Sequence, residues 1–286
     1  MNILHSVADM HRYADEAHQS ARRIGFVPTM GFLHEGHVSL MRIARQQADV
    51  LVVSIFVNPT QFGPGEDFET YPRDFERDRA LVAEAGADCL YYPDVSEMYP
   101  PGYQTTVSVR DVTQNLCGSS RPTHFDGVST VVAKLFYAVK PDCAVFGQKD
   151  FQQLVVIKRM VQDLNMDVEI IGAPIVRETD GIAMSSRNKN LASEERAAAR
   201  SLSRALDAVS ARIKAGERSA QALIEQARAI ISAETLGRID YIKICDTETL
   251  QDVEILEREA VMALAVFFEK ARLIDNVVLC VDELKT

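Results

Sequence analysis

The sequence predicts a doubly wound, parallel α/β domain (Rossmann-like) followed by a smaller α+β domain. Three observations carry this prediction. Short, almost wholly apolar runs recur through residues 1–175, as expected for strands buried on both faces of a parallel sheet. Segments with helical spacing separate them, giving the alternation of a doubly wound fold. Beyond residue 175 the order changes to two amphipathic helices and then three strands, which suits a separate α+β unit. The expected boundaries are therefore 1–175 and 176–286, in line with the two domains that 286 residues suggest.

The elements follow in order. Ile24 to Val27 reads as a strand, and the residues from Val38 onward as a helix. Val50 to Val57 is apolar and rich in β-branched residues, a buried strand. Asp74 to Ala85 reads as a helix stopped by Gly86, and Asp88 to Tyr92 as the next strand. Asp126 opens a helix whose Val128, Val131, Val132, Leu135, Phe136 and Val139 keep helical spacing, and Pro141 ends it. Cys143 to Phe146 is a short strand, followed by Gly147 and a helix carrying Leu154, Ile157, Val161 and Leu164. Pro174 to Arg187 is a polar loop. Leu202, Ala205, Leu206, Val209 and Ile213 mark one amphipathic helix, and Leu223, Ile224, Ala227, Ile230 and Ile231 another. Tyr241 to Cys245, Val261 to Phe268 and Val277 to Val281 complete the pattern as strands.

Composition narrows the function classes. The chain is 47% apolar and 25% charged, ordinary for a soluble protein. Its net charge of -10 argues against nucleic-acid or anionic-membrane binding, which demands a basic face. The five cysteines (Cys89, Cys117, Cys143, Cys245, Cys280) are odd in number and widely spaced, the pattern of reduced thiols in a cytoplasmic protein. The first residues lack the apolar core of a signal peptide, and no run approaches a membrane span.

The richest stretch for chemistry is Pro28-Thr29-Met30-Gly31-Phe32-Leu33-His34-Glu35-Gly36-His37, between the first buried strand and its helix. Residues three apart share one side of a helical turn. Free N–H groups and the positive dipole end at a helix start favour an anion, and Gly36 leaves room for close approach to the backbone. Two imidazoles over such a site point to a nucleotide. A zinc reading is weaker, because the metalloprotease helix spaces its histidines four apart and no cysteine lies nearby.

Three further segments fall at strand ends or at the expected domain seam. Asn58 and Gln61 follow the strand at 50–57, where open α/β sheets bind ligands; a plain Asn-Pro turn is the alternative. Gly147-Gln148-Lys149-Asp150 combines close backbone approach, a mobile positive charge and a helix-capping carboxylate. Gln152 and Gln153 begin the helix beyond it, facing either the crevice or solvent. Met184-Ser185-Ser186-Arg187-Asn188 offers two hydroxyls and a guanidinium suited to phosphate oxygens, and its place at the seam predicts a mobile clamp.

The ordered blocks PTMGFLHEGH, SIFVNPTQF, YPRD, HFDGV, FGQKDFQQL and MSSRN, spread from about Ile24 to Leu191, resemble the pantothenate synthetase (pantoate–β-alanine ligase) family of the HxGH nucleotidyl-transferring superfamily. Gln148 stands where that family more often has Glu, and Phe32 where a small residue is common. The resemblance implies attack of pantoate's carboxylate on the α-phosphate of ATP, then attack of β-alanine's amine on the pantoyl adenylate. It implies ATP contacts from Met30, Gly31, Phe32, Leu33, His34, Glu35, Gly36, His37, Gly147, Gln148, Lys149, Asp150, Val176, Met184, Ser185, Ser186 and Arg187. His37 would be the proton donor, with His34 and Lys149 acting beside it on the phosphates. Gln61 and Gln153 would hold pantoate, with Gln61 also at the β-alanine site. Mg2+ would travel with the ATP phosphates, no protein metal site is expected, and a homodimer is implied. The alternatives are another HxGH nucleotidyltransferase, lacking the amine-acylation step, and a non-catalytic nucleotide sensor. The blocks around Gln61 and Gln153 favour the ligase.

Overall fold

The computed structural model describes residues 1–269 and 271–281. Six parallel strands form the larger sheet: β1 (Asn2–Leu4), β2 (Ile24–Thr29), β3 (Val50–Ile55), β4 (Cys89–Tyr91), β5 (Cys143–Gly147) and β6 (Glu169–Ala173), in the spatial order β1-β4-β3-β2-β5-β6. Helices α1 (Val7–Gln19), α2 (Glu35–Gln47), α3 (Phe75–Glu84), α6 (His124–Val139) and α7 (Phe151–Asp163) join and cover them, with short helices α4 (Val95–Met98) and α5 (Leu116–Ser120) between β4 and α6. After β6 come α8 (Ser193–Lys214), α9 (Ala220–Ser232) and an antiparallel sheet of β7 (Arg238–Asp246), β8 (Ala260–Phe268) and β9 (Ala271–Leu279). No helix among the described residues is long and apolar enough to cross a membrane.

The central strands show why the apolar runs were readable. In β3 every residue is buried, and successive side chains pack on opposite faces. Val50 and Val52 join Phe26, Ala144 and helix α6 on one side. Leu51 and Val53 join Val27, Val145 and the Leu40, Met41 and Ala44 stripe of α2 on the other. The second unit has its own apolar cluster, from Leu202, Leu206, Val209, Leu223 and Ile231 of its helices to Met262, Leu264 and Val266 of β8.

Several boundaries depart from the sequence reading. Helix α2 starts at Glu35 rather than Val38, because the backbone turns helical directly after the extended His34. The strand expected over 50–57 stops at Ile55, and Phe56 and Val57 lead out of the sheet. Helix α6 starts at His124, two residues before Asp126. The third strand of the small sheet runs Ala271–Leu279 instead of Val277–Val281, set by its full antiparallel register with β8. Strands β1 and β6, at the sheet edges, had no sequence assignment.

Topology places the site. From β2 the chain moves to β3 and β4 on one side, whereas β5 lies on the other. The carboxyl ends of β2 and β5 therefore flank the switch point of the sheet, where open α/β folds bind ligands.

Candidate active site

Beyond β2 the backbone makes a tight reversal: Gly31 and Phe32 both lie in the left-handed region, at φ +81° and +49°. That conformation is costly for a bulky residue. Asp78 of α3 fixes it, accepting the N–H groups of Phe32 at 2.6 Å and Leu33 at 2.7 Å. A side chain at Gly31 would be crowded as well as strained, its Cβ 3.0 Å from Asp78 Oδ2. The Phe32 ring packs with the cationic groups of Lys189 at 3.9 Å and Arg77 at 5.1 Å.

His34 is the N-cap residue of α2 and His37 lies in its first turn, with their rings 4.1 Å apart. The His34 backbone N–H donates to His37 Nδ1 at 3.2 Å. That acceptor role puts the proton of a neutral His37 on Nε2. Burial and the neighbouring His34 and Lys149 hold His37 well below the usual histidine pKa. Burial, then Lys149, pushes His34 down to about 4. Both rings are thus neutral at neutral pH. Gly36 has a use other than approach by a ligand: a Cβ there would lie 2.9 Å from the His34 ring. The glycine makes space for the imidazole itself.

At the end of β5, Gln148–Asp150 form one 3-10 turn. A Cβ on Gly147 would meet open space. Asn276 of β9 donates to the carbonyls of Gln148 and Lys149, each at 2.9 Å, so the second unit holds the lysine turn. Burial lowers the Lys149 pKa, against the pull of Asp150 and Asp275. Asp150 occupies the N-cap position of α7, but its side chain makes no capping hydrogen bond.

A cavity of about 260 Å³ joins these parts. Met30, His34, Gly36, His37, Gln61, Gly147, Lys149, Asp150, Gln153, Val176, Met184, Ser185, Ser186 and Arg187 all line it. The rest of the predicted set does not. Leu33 is fully buried in the core. Glu35 is exposed and pairs with Arg42. Gly31 and Phe32 shape the reversal, and the Gln148 side chain lies toward Gly172. Gln152 turns inward to receive the Cys117 N–H at 2.9 Å and to donate to Val112 and Asn115 carbonyls.

Gln61 is buried in the cavity wall. Its amide nitrogen lies 3.1 Å from Met30 Sδ, and its oxygen accepts from Asn58 Nδ2 at 3.2 Å. Asn58 also donates to the Gly127 carbonyl at 3.1 Å and accepts from Tyr99 Oη at 2.8 Å. It braces Gln61. Val128, Val131 and Leu135 of α6 supply the apolar side.

Residues 184–187 begin where Met184 N–H donates to the Val176 carbonyl at 2.9 Å. Ser185 Oγ accepts the Arg187 N–H at 3.2 Å. Ser186 Oγ donates to the Phe32 carbonyl at 3.4 Å. The Arg187 guanidinium is engaged by both oxygens of Asp67, at 2.9 and 3.0 Å. A matching pair joins Arg121 to Glu66, at 2.7 and 2.5 Å. His124 Nδ1 contacts the Gln61 carbonyl at 2.8 Å, and burial, then Arg121, pushes its pKa down to about 4. Among the described residues, no three histidine, cysteine or carboxylate side chains gather into a metal-ligating group.

Asp67, Asp78, Arg121, His124 and Asn276, with Tyr71, which lines the cavity and lies under the Arg187 guanidinium, are the site-building residues that the sequence reading left without roles. Tyr71 and His124 stand within the YPRD and HFDGV blocks, which was the available signal for them.

Fold and site together define an HxGH-type nucleotidyl-transferring α/β protein, with two histidines at a helix start facing a strand-end lysine. Residues 2–278 match the family model described as pantoate-beta-alanine ligase. The chain belongs to that family. It is 56% identical over 276 residues to the pantothenate synthetase of Syntrophus aciditrophicus, covering 96% of each chain. It is also 56% identical over 283 residues to that of Moorella thermoacetica, covering 99% of this chain and all of the other. Among solved structures it is similar to pantothenate synthetase from Thermus thermophilus, with a TM-score of 0.92, 45% identity, and coverage of 97% and 99%. It is also similar to the Francisella tularensis pantoate-beta-alanine ligase described as complexed with beta-gamma ATP and beta-alanine, with a TM-score of 0.78, 33% identity and coverage of 97% of each chain.

Proposed function

We infer that this protein condenses pantoate with β-alanine at the expense of ATP, through pantoyl adenylate, releasing AMP and pyrophosphate. The observation that carries the assignment of residues is one shared cavity at the switch point. The imidazoles, the lysine, two glutamines and the Met184–Arg187 turn all border it.

In the first step a carboxylate oxygen of pantoate bonds to the α-phosphorus, and the bond to pyrophosphate breaks. Gln61 and Gln153 orient the acid with neutral amides, which leave its oxygen more nucleophilic than a guanidinium clamp would. His37, Nδ1 already engaged, offers Nε2–H to the phosphates, while His34, Lys149 and Arg187 meet charge shifting toward the leaving group. A neutral His37 acts as a hydrogen-bond donor until polyphosphate binding raises its proton affinity. In the second step the β-alanine amine bonds to the acyl carbon near Gln61, the bond to AMP breaks, and the amine loses a proton. Met30, Gly36, Gly147, Asp150, Val176, Met184, Ser185 and Ser186 complete the nucleotide surface in this reading. Gly31, Phe32, Leu33, Glu35 and Gln148 act indirectly, through the shape of the two turns. Mg2+ enters as the counter-ion of the ATP phosphates.

The reading extends to domains at 1–175 and 176–286, the second a lid over the first. The separate apolar cluster of the second unit supports this division. A cytoplasmic homodimer follows from family resemblance, and sedimentation equilibrium tests its oligomeric state. The decisive assay measures pyrophosphate and AMP with ATP plus pantoate, with and without β-alanine. Pyrophosphate release on the first mixture and sustained AMP release only with the amine are expected. Sustained turnover independent of β-alanine would replace the ligase by a simple nucleotidyltransferase.

A further inference from the structure

Arg187 is the phosphate-seeking residue of the Met184–Arg187 turn, yet a carboxylate of this chain already occupies it. Asp67 engages the guanidinium through Nε and Nη2, using one oxygen for each. This is the two-pronged geometry with which an arginine grips a phosphate. The side chains are 33% and 39% exposed, so the pair is neither sealed in the core nor fully in water. Arg187 lines the cavity with His34, His37 and Lys149, and it also lines the adjoining cavity of about 470 Å³, which Asp67 borders. Among the described residues no ion pair engages Lys149.

We propose that Asp67 is a specificity-determining residue of the nucleotide site, an internal stand-in for phosphate that an incoming anion must displace from Arg187. This rests on the reading that Arg187 contacts the ATP phosphates. The exchange swaps one anion for another, so the guanidinium keeps a two-pronged partner throughout. A polyphosphate, with several charges and further contacts at Lys149 and the helix start, competes well. A mono-anion gains only the contact Asp67 already supplies, and is rejected. When pyrophosphate departs, Asp67 takes the guanidinium back and opposes rebinding. Ser185 Oγ holds the Arg187 backbone N–H, which fixes where the side chain leaves the turn.

Calorimetric titration of the full-length protein with inorganic pyrophosphate, ATP and inorganic phosphate tests this at fixed ionic strength. Asp67→Asn should tighten pyrophosphate by about threefold to tenfold, the scale of a partly exposed charge pair. Phosphate should gain at least as much, reducing discrimination. Asp67→Glu, which can restore the pair, should return affinity toward the starting value. Glu66→Gln removes an equal charge from the neighbouring residue and should change pyrophosphate affinity by less than about twofold. Unchanged or weakened pyrophosphate binding in Asp67→Asn overturns the proposal. Equal tightening in Glu66→Gln overturns it too, by reducing the effect to general field. Arg187→Ala separates the underlying reading: if it leaves ATP and pyrophosphate affinity intact, Arg187 itself is misassigned. If it weakens both while Asp67→Asn tightens neither, only the stand-in role fails.

Discussion

The start of helix α2 lines the same cavity as Arg187, the partner of Asp67, yet the helix start and Asp67 are held in opposite ways. At His34–His37 the backbone is over-determined: Asp78 takes two N–H groups, His37 takes a third, and the His34 ring occupies the space a Cβ on Gly36 would need. Asp67 faces Arg187 through a side-chain ion pair, both groups partly exposed, whereas the neighbouring Glu66–Arg121 pair is tied further by the Gln61 carbonyl. The contrast separates two needs of one site. Groups that act on the reacting phosphorus require fixed geometry, whereas groups that admit and release anions require partners that can be exchanged.

The largest effect should come from the fixed side. His37→Ala is expected to lower turnover by about 100- to 10,000-fold, the range for a positioned proton-transfer or hydrogen-bonding group. Its circular-dichroism melt should stay close to the parent's. Near-normal steady-state turnover would take His37 out of the mechanism.

Stability measurements test the contrast directly. Asp78→Ala leaves two backbone donors without their acceptor and should cost about 2–4 kcal/mol by urea denaturation. Asp67→Asn, which loses only a partly exposed pair, should cost about 1 kcal/mol or less. Similar losses from the two substitutions would erase the distinction.

A smaller effect is expected at Gln153. Replacing it by Ala should weaken pantoate by about 1–3 kcal/mol, roughly 5- to 150-fold, while sparing ATP. Calorimetry with both ligands decides this, and equal losses would return Gln153 to a general structural role.

The smallest is the share of one histidine in acid sensitivity. His124 has its folded pKa depressed to about 4, so the unfolded chain binds the extra proton below about 6.5 and stability falls as pH drops. Between pH 6.5 and 5.5 such a group contributes about 1 kcal/mol of that loss. His124→Asn should flatten the urea-derived stability profile by this amount. Glu66 remains charged in that window: burial favours its neutral form, but Arg121 holds its pKa below the usual value. An unchanged profile would show that His124 titrates alike in folded and unfolded chains.

Legibility follows the same division. Strands β2, β3 and β5 were readable because burial on both faces leaves unbroken apolar runs. Edge strands β1 and β6 are short or partly polar, and their pairing depends on distant neighbours. The HxGH turn was visible because local spacing sets its geometry. Asp78 was not, since an acid in a polar helix looks like any solvated residue until the fold aims it at a backbone 46 positions away. The Asp67–Arg187 pair spans 120 positions, and no local pattern announces it. Gly36 reads from the sequence as a place of close approach, and the structure adds a second use, room for the His34 imidazole beside the cavity it lines.

The Asn276 clasp gives the site a place in time. All six strands of the parallel sheet leave the ribosome well before β9 does, and with them both histidines, Lys149 and the glutamines. The amide that steadies the carbonyls beneath Lys149 arrives only with the ninth strand. A nascent chain can therefore own the histidines, the lysine and the glutamines proposed for the chemistry and still lack the brace on the lysine turn, which arrives late in synthesis, after the sheet that carries the site.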